Sequence, residues 1–138
     1  MSQTSIPPEQ RLIVALDVPS ATEARALVTE IGDAVHFYKV GLELFTGADG
    51  FGIVDWLTGQ KKNVFVDLKF FDVPATVGRA VSQLQGRGIT FATVHGNDAM
   101  MRSAADAADG VGILAVTVLT SLDKADMLDL GFDCDIPE

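Results

Sequence analysis

Five short apolar runs alternate with five segments of helical pattern, and this alternation constrains the fold more than any other feature of the chain. The runs are rich in β-branched and aromatic residues, which is typical of strands, and cover 11–17, 35–41, 63–68, 90–95 and 111–119. The intervening pattern predicts helices at about 20–31, 43–59, 75–85, 98–108 and 122–130. Strict alternation of strand and helix predicts a parallel sheet with right-handed crossovers.

Local signals agree with this division. Ser20 followed by Glu23 predicts a capping box at the start of the first helix. Gly47, Gly50 and Gly52 weaken the helical pattern of 43–59. A phosphate-binding loop is the alternative for these glycines, but their spacing is not GxGxxG, so an interrupted helix is the simpler interpretation.

A polar residue lies at or next to the C-terminal end of each predicted strand, in chain order Asp17, Lys39, Lys69, His95 and Thr120. In a (β/α)8 TIM barrel, functional groups gather at the C-terminal ends of the strands. Such a barrel needs roughly 200 residues or more, so this chain would supply about the first five of eight units. A doubly wound sheet is the alternative, but its nucleotide-binding variant has a glycine-rich turn after the first strand, and here that turn reads VPSAT. The histidine is interpreted as structural rather than catalytic.

The segment 63–77 concentrates charge at one strand end. Asp67 and Lys69 lie two residues apart and therefore share a strand face, while Asp72 follows just before Pro74, which is typical of a helix start. A solvated surface ion pair would explain one such pair. Because other strands also end in charged residues, we interpret the cluster as a functional site.

Composition limits the partners. The 138 residues are 48% hydrophobic and carry 10 basic against 19 acidic side chains, for a net charge of −9. This balance argues against a nucleic-acid surface or a polybasic membrane patch. The single cysteine, Cys134, gives no disulfide framework or zinc ligand set, and no apolar run is long enough to span a membrane. We expect a soluble, cytoplasmic protein with a polar lead-in at 1–10 and one partial barrel domain at 11–138.

Five motifs together resemble the orotidine 5′-phosphate decarboxylase family. They are ALDVPS at 15–20, YKVGLELF at 38–45, VDLKFFDVPATV at 66–77, TVHG at 93–96 and VTVLTS at 116–121. The resemblance covers nearly all of the chain after the lead-in. Its most specific part is DLKxxD followed by VPxT. It implies the activity of that family, decarboxylation of orotidine 5′-monophosphate to UMP in pyrimidine biosynthesis.

The resemblance also implies the catalytic residues. Lys39, Asp67, Lys69 and Asp72 would form the catalytic charge array. Lys69 would donate the proton and Asp67 would lie against the substrate carboxylate. Asp72 would reach across a dimer interface into the partner's site.

Substrate contacts follow from the same resemblance. Asp17 and Lys39 would hold the ribose hydroxyls, with Thr76 helping from the other subunit. Thr120 or Ser121 would contact the pyrimidine. The family members it resembles are homodimers that use neither a metal nor an organic cofactor, so we expect a small-molecule substrate, a homodimer and no cofactor.

The sequence also departs from the family pattern. Ala75 stands where asparagine is usual, and Phe71 where histidine is common. The resemblance also implies strands six to eight, with late loops in which Gln and Arg grip the phosphate, and we expect this chain not to include them. Two alternatives therefore stay open: an inactive fragment that keeps fold and dimer contacts, and a metal-dependent keto-sugar-phosphate decarboxylase with a similar DxKxxD strand.

Overall fold

The computed structural model describes residues 6–47 and 49–134. In these ranges the strands are β1 (Val14–Ala15), β2 (Phe37–Gly41), β3 (Asn63–Phe70), β4 (Ile89–His95) and β5 (Gly112–Val116). The helices are α1 (Ala21–Ile31), α2 (Leu42–Gly47), α3 (Gly50–Gly59), α4 (Pro74–Ser82), α5 (Asp98–Asp106) and α6 (Lys124–Asp129). The expected alternation of strand and helix is confirmed.

The five strands form one parallel sheet in the order β1-β2-β3-β4-β5. Each crossover returns the chain to the neighbouring position, so the strand order never reverses. A doubly wound sheet requires such a reversal, whereas a barrel is built from consecutive neighbours. The topology therefore confirms a partial (β/α) barrel and removes the doubly wound alternative.

The core lies between the outer face of this sheet and the helices. Alternate strand residues point outward, and Val40, Val66 and Val94 are each 0% exposed there. They pack in one cluster with helix residues such as Leu57 and Val81. Burying each of these side chains contributes about 1.5–3 kcal/mol. The opposite residues of each strand point into the barrel interior, where the charged groups lie.

Helix boundaries follow local chemistry. The Ser20 hydroxyl caps α1 by accepting from the Glu23 backbone N–H at 3.2 Å. The predicted helix at 43–59 is divided in two, and Asp49 caps α3 by accepting from the Gly52 N–H at 3.0 Å. A Cβ on Gly50 would lie 2.5 Å from the Phe45 carbonyl oxygen, so glycine allows α2 and α3 to pack closely.

The two outermost strands are shorter than predicted. β1 covers only Val14–Ala15 instead of 11–17, and β5 ends at Val116 instead of 119. Both strands lie at the edges of the described sheet, so each has ladder hydrogen bonds along one side only. Leu12 is 59% exposed, which shows that hydrophobicity by itself did not place it in the sheet.

Within the described ranges, no helix has the length and apolar character needed to cross a membrane.

Candidate active site

The carboxyl ends of the strands border an open cleft of about 540 Å3. Parallel strands bring their C-terminal ends to one edge of the sheet, so residues far apart in sequence meet there. The lining comprises inward-facing residues of β3, β4 and β5 and the segment after β5: Phe65, Asp67, Lys69, Thr93, Val116, Val118, Leu119, Thr120 and Ser121.

Asp67 lies at the centre of a hydrogen-bonded charge cluster. Its Oδ1 accepts from Lys69 Nζ at 2.9 Å and from the Thr93 hydroxyl at 2.9 Å. Its Oδ2 accepts from Lys39 Nζ at 3.4 Å. Lys39 Nζ also lies 3.6 Å from Asp17 Oδ1. Two neighbouring strands, β2 and β3, together with Asp17 just after β1, thus supply an alternating row of two carboxylates and two ammonium groups.

Exposure of the side chains increases outward from Asp67. The Asp67 side chain is 11% exposed, those of Lys39 and Lys69 are 24% and 38% exposed, and that of Asp17 is 68% exposed. The inner carboxylate is thus shielded from water, while the Lys69 ammonium retains access to the cleft.

Two opposing effects act on the pKa of Asp67. Burial, the largest single effect, raises the pKa. Hydrogen bonds from Lys69 and Thr93, together with the positive charges of Lys69 and Lys39, lower it. The combined effect places the pKa of Asp67 below its ordinary value, so this carboxylate is ionised at neutral pH.

The backbone at Lys69 departs from regular strand geometry. Its φ is 49°, in the left-handed region that non-glycine residues rarely adopt. The β3–β4 register shifts at the same place, since Val66 pairs with Ala92 but Phe70 pairs with Val94. Between these two pairs the chain advances four residues along β3 but only two along β4. Bulges of this kind redirect side chains near functional sites, and simple strand alternation did not predict this one.

Asp72 and Thr76 lie outside the cluster, in the connection after β3. Asp72 is exposed, and its Oδ1 accepts from the Val73 N–H at 2.7 Å. The Thr76 hydroxyl accepts from Arg79 at 3.0 Å. Within 6–47 and 49–134, Asp72 forms no ion pair with either lysine of the cluster. One chain thus brings Asp17, Lys39, Asp67 and Lys69 together without Asp72.

The remaining sequence candidates divide between two places. Thr120 and Ser121 are exposed and line the cleft beside Lys69. His95 packs against the Phe71 ring, 5.0 Å between centroids, in a neighbouring apolar cleft. This contact agrees with the structural interpretation of His95.

Thr93 contacts both Lys69 and Asp67 but is not among the site residues predicted from the sequence. The available signal was its place in the TVHG motif, two residues before the end of β4, on the strand face shared with His95.

Metal ligands do not converge in the described part of the chain, where no three His, Cys, Asp or Glu side chains are grouped to hold an ion. Asp17 and Asp67 are both engaged by Lys39.

The sequential parallel sheet and the lysine–carboxylate cluster at its carboxyl edge define a (β/α)-barrel protein with its functional groups at the strand ends. A sequence profile of the orotidine 5′-phosphate decarboxylase / HUMPS family matches residues 10–134. The chain belongs to this family, and the resemblance drawn from its motifs is confirmed.

Similar proteins support this placement. The orotidine 5′-phosphate decarboxylase of Methylococcus capsulatus is 62% identical over 138 residues, covering 100% of this chain and 57% of that protein. The one from a Bradyrhizobium species is 47% identical over 137 residues, 56% of its length. The crystal structure of the Lactobacillus acidophilus orotidine 5′-phosphate decarboxylase matches with a TM-score of 0.78 at 38% identity, covering 91% of this chain and 60% of that one. The chain thus spans little more than half the length of these relatives.

Proposed function

We propose that the chain carries the decarboxylation centre of an orotidine 5′-monophosphate decarboxylase, with Lys69 as the catalytic residue. The observation that carries this proposal is the contact between Lys69 Nζ and Asp67 Oδ1 at 2.9 Å, at the mouth of the cleft. Family membership and the 62% identical Methylococcus enzyme support the choice of substrate.

The reaction breaks the bond between the pyrimidine ring carbon and the departing CO2, and the electron pair stays on the ring carbon. A preorganised ammonium beside that carbon stabilises the developing negative charge more than it stabilises the ground state. Lys69 then transfers a proton from Nζ to the carbon, giving UMP, and regains a proton from solvent. The protein supplies both charge stabilisation and proton, so the proposal requires no cofactor.

Asp67 and Lys39 have supporting parts in this mechanism. Ionised Asp67 holds both ammonium groups, which fixes the Lys69 head group before substrate binds. It also places negative charge where the resemblance locates the substrate carboxylate, an arrangement that favours departure of CO2. We assign the binding of the ribose hydroxyls to Lys39 and Asp17, as the resemblance implies, and their contact at 3.6 Å beside the cluster supports this assignment.

Pyrimidine binding is assigned to Thr120 or Ser121, which line the cleft. The two lysines of the cluster both contact Asp67, so the substrate phosphate would need basic groups beyond this cluster. We therefore propose that the 11–138 domain supplies the catalytic part of the site and that the phosphate grip comes from additional structure.

We also propose a homodimer, acting in the cytoplasm, in which Asp72 and Thr76 complete the partner's site. Phe71 and Val73, on either side of Asp72, are 71% and 64% exposed. Phe71 also borders an apolar cleft with Leu130 and Phe132, and contiguous exposed apolar surface is typical of interaction sites. A test is to mix Asp72→Ala and Lys69→Ala chains, since shared sites would restore part of the lost turnover. Stable, dimeric variants that fail to complement each other would exclude shared sites.

The activity is tested by following the absorbance of orotidine 5′-monophosphate with purified chain, in chelator and without added metal. Lys69→Ala is the test variant. Lys61→Ala is its matched control, because Lys61 is an exposed lysine in the α3–β3 turn. We expect turnover that Lys69→Ala abolishes and Lys61→Ala leaves unchanged. Turnover of equal rate in Lys69→Ala would refute the mechanism.

The same experiment separates the two alternatives. Turnover of a keto-sugar phosphate that depends on added magnesium would assign the chain to the metal-dependent sugar enzyme. An inactive barrel fragment would show no turnover with either substrate. In that case, amide shifts of Lys69 and Thr120 on adding the nucleotide would test whether the cleft still binds it.

A further inference from the structure

The Thr93 side chain joins two parts of the site that the proposed mechanism treats separately. Thr93 is only 4% exposed and lies on β4. Its hydroxyl accepts from the Lys69 backbone N–H at 2.9 Å and donates to Asp67 Oδ1 at 2.9 Å. A threonine hydroxyl has one proton to donate. Because that proton is directed to the carboxylate, a lone pair remains for the N–H, and both contacts are satisfied together.

We propose that Thr93 is a positioning residue that fixes the Asp67 carboxylate and the left-handed backbone of Lys69 through one hydroxyl group. The catalytic consequence of this assignment rests on the proposed decarboxylase function, whereas its structural consequence does not.

Thr93 holds the Lys69 backbone at the β3–β4 bulge. The ladder passes from the pair Val66–Ala92 to the pair Phe70–Val94, which leaves Lys69 out of register. Its N–H is satisfied by the side chain of Thr93 instead. A left-handed non-glycine residue persists only where its surroundings hold it in place. Loss of the hydroxyl would leave a partly buried N–H without its partner, which is costly, and would release the constraint on Lys69.

Thr93 also helps to fix which oxygen of the Asp67 carboxylate faces each lysine. The terminal torsion of an aspartate is broad, so a carboxylate needs external contacts to fix its orientation. Thr93 and Lys69 Nζ both donate to Oδ1, while Lys39 Nζ contacts Oδ2. The hydroxyl thus distinguishes the two oxygens. It also closes a ring that runs from the Lys69 N–H through Thr93 and Asp67 back to the Lys69 ammonium.

The test compares Thr93→Val, which keeps the shape and removes the hydroxyl, with Thr93→Ser, which keeps the hydroxyl. Thr90→Val, at the other end of β4, is the matched control. Carbon-13 NMR titration of the Asp67 carboxyl and hydrogen exchange of the Lys69 amide are measured in each chain. Separate resonances for Asp67 and Asp17 distinguish the two carboxylates that contact Lys39.

In Thr93→Val, we expect the pKa of Asp67 to rise, because a hydrogen bond to its ionised form is lost. We also expect the Lys69 amide to exchange at least about 10-fold faster. Thr93→Ser and Thr90→Val should resemble the unmodified chain. The proposal would be overturned if Thr93→Val left both the Asp67 pKa and the Lys69 amide exchange rate unchanged. It would also be overturned if Thr93→Ser showed the same changes as Thr93→Val. If Thr93→Val does not fold, Thr93→Ala takes its place against Thr93→Ser under the same criteria.

Kinetics adds a separate readout. A misplaced Lys69 should lower kcat by roughly 10-fold to 100-fold while changing KM little, and Thr93→Ser should recover most of the rate. A raised KM with unchanged kcat would contradict a positioning role. If the unmodified chain shows no turnover, the proposed function fails, and the NMR measurements still decide the role of Thr93.

Discussion

Replacing Asp67 by asparagine tests whether the charge cluster stabilises the fold in addition to its proposed catalytic role. Asparagine has nearly the same shape and can still accept from Thr93, so the substitution mainly removes a negative charge. That charge lies between Lys69 Nζ at 2.9 Å and Lys39 Nζ at 3.4 Å. Without it, two ammonium groups face the same neutral side chain. We therefore expect Asp67→Asn to be less stable than the unmodified chain.

The expected loss of stability in Asp67→Asn lies between two limits. Removing one partner of a buried ion pair costs about 3–5 kcal/mol, and exposed pairs contribute about 0–1 kcal/mol. Asp67 is nearly buried, but the two lysine side chains are 24% and 38% exposed and can regain water. We expect a fall of about 2 kcal/mol in the free energy of unfolding at pH 7.

The change of this stability difference with pH is an independent test. The folded pKa of Asp67 is lowered from its ordinary 3.8. A carboxylate of this kind contributes stability that is fully present above its unfolded pKa and is lost as pH falls through the folded pKa. The difference between the two chains should therefore stay constant from neutral pH to about pH 5 and narrow below about pH 4.

Urea unfolding followed by the fluorescence of Trp56 measures this difference. Asp55→Asn is the matched control, because Asp55 is 52% exposed and pairs with Arg87 at the surface. The control should change stability by less than about 1 kcal/mol. An Asp67→Asn chain as stable as the unmodified one at pH 7, or a difference that grows as pH falls, would refute this account.

Two further substitutions test packing away from the site by thermal and urea unfolding. Lys62→Met should destabilise the chain by about 2–4 kcal/mol, because the Lys62 ammonium donates to two backbone carbonyls at 2.8 and 2.9 Å. Lys61→Met should have little effect, and equal losses of stability in the two variants would contradict this prediction. Gly78→Ala should cost about 1–3 kcal/mol, since its Cβ would lie 2.5 Å from Ser103 Oγ between α4 and α5. Adding Ser103→Ala to the Gly78→Ala chain should recover part of that lost stability. Gly59→Ala should cost less, because nothing lies within 4 Å of a Cβ at Gly59. A Gly78→Ala chain of unchanged stability would contradict the close packing of α4 against α5.

The sequence predicted the elements well wherever local chemistry decides them. The Ser20 cap and the proline at the start of α4 are local signals, and both helices begin where expected within one residue. The edges of the sheet were predicted less well. Leu12 and Ile13 are apolar enough for a strand, but strand pairing depends on a neighbouring strand, which the local sequence pattern does not specify.

Within the site, sequence reasoning gave the residue types and their strand ends but not their contacts. Alternation along β3 predicted that Asp67 and Lys69 share a face. It could not predict the left-handed backbone at Lys69 or the hydroxyl of Thr93 beneath it, because both depend on how β4 aligns with β3.

The sequence by itself determined the succession of strands and helices, the polar residue at each strand end and the family to which the chain belongs. These properties are encoded in hydrophobic periodicity and in contiguous motifs. Only the tertiary structure decided which charged groups come into contact. Asp67 contacts Lys39 of a neighbouring strand, whereas Asp72, only five residues after Asp67 in sequence, lies apart from the cluster. The physical reason is that sheet register and a bulge set distances across strands, and sequence separation does not determine them.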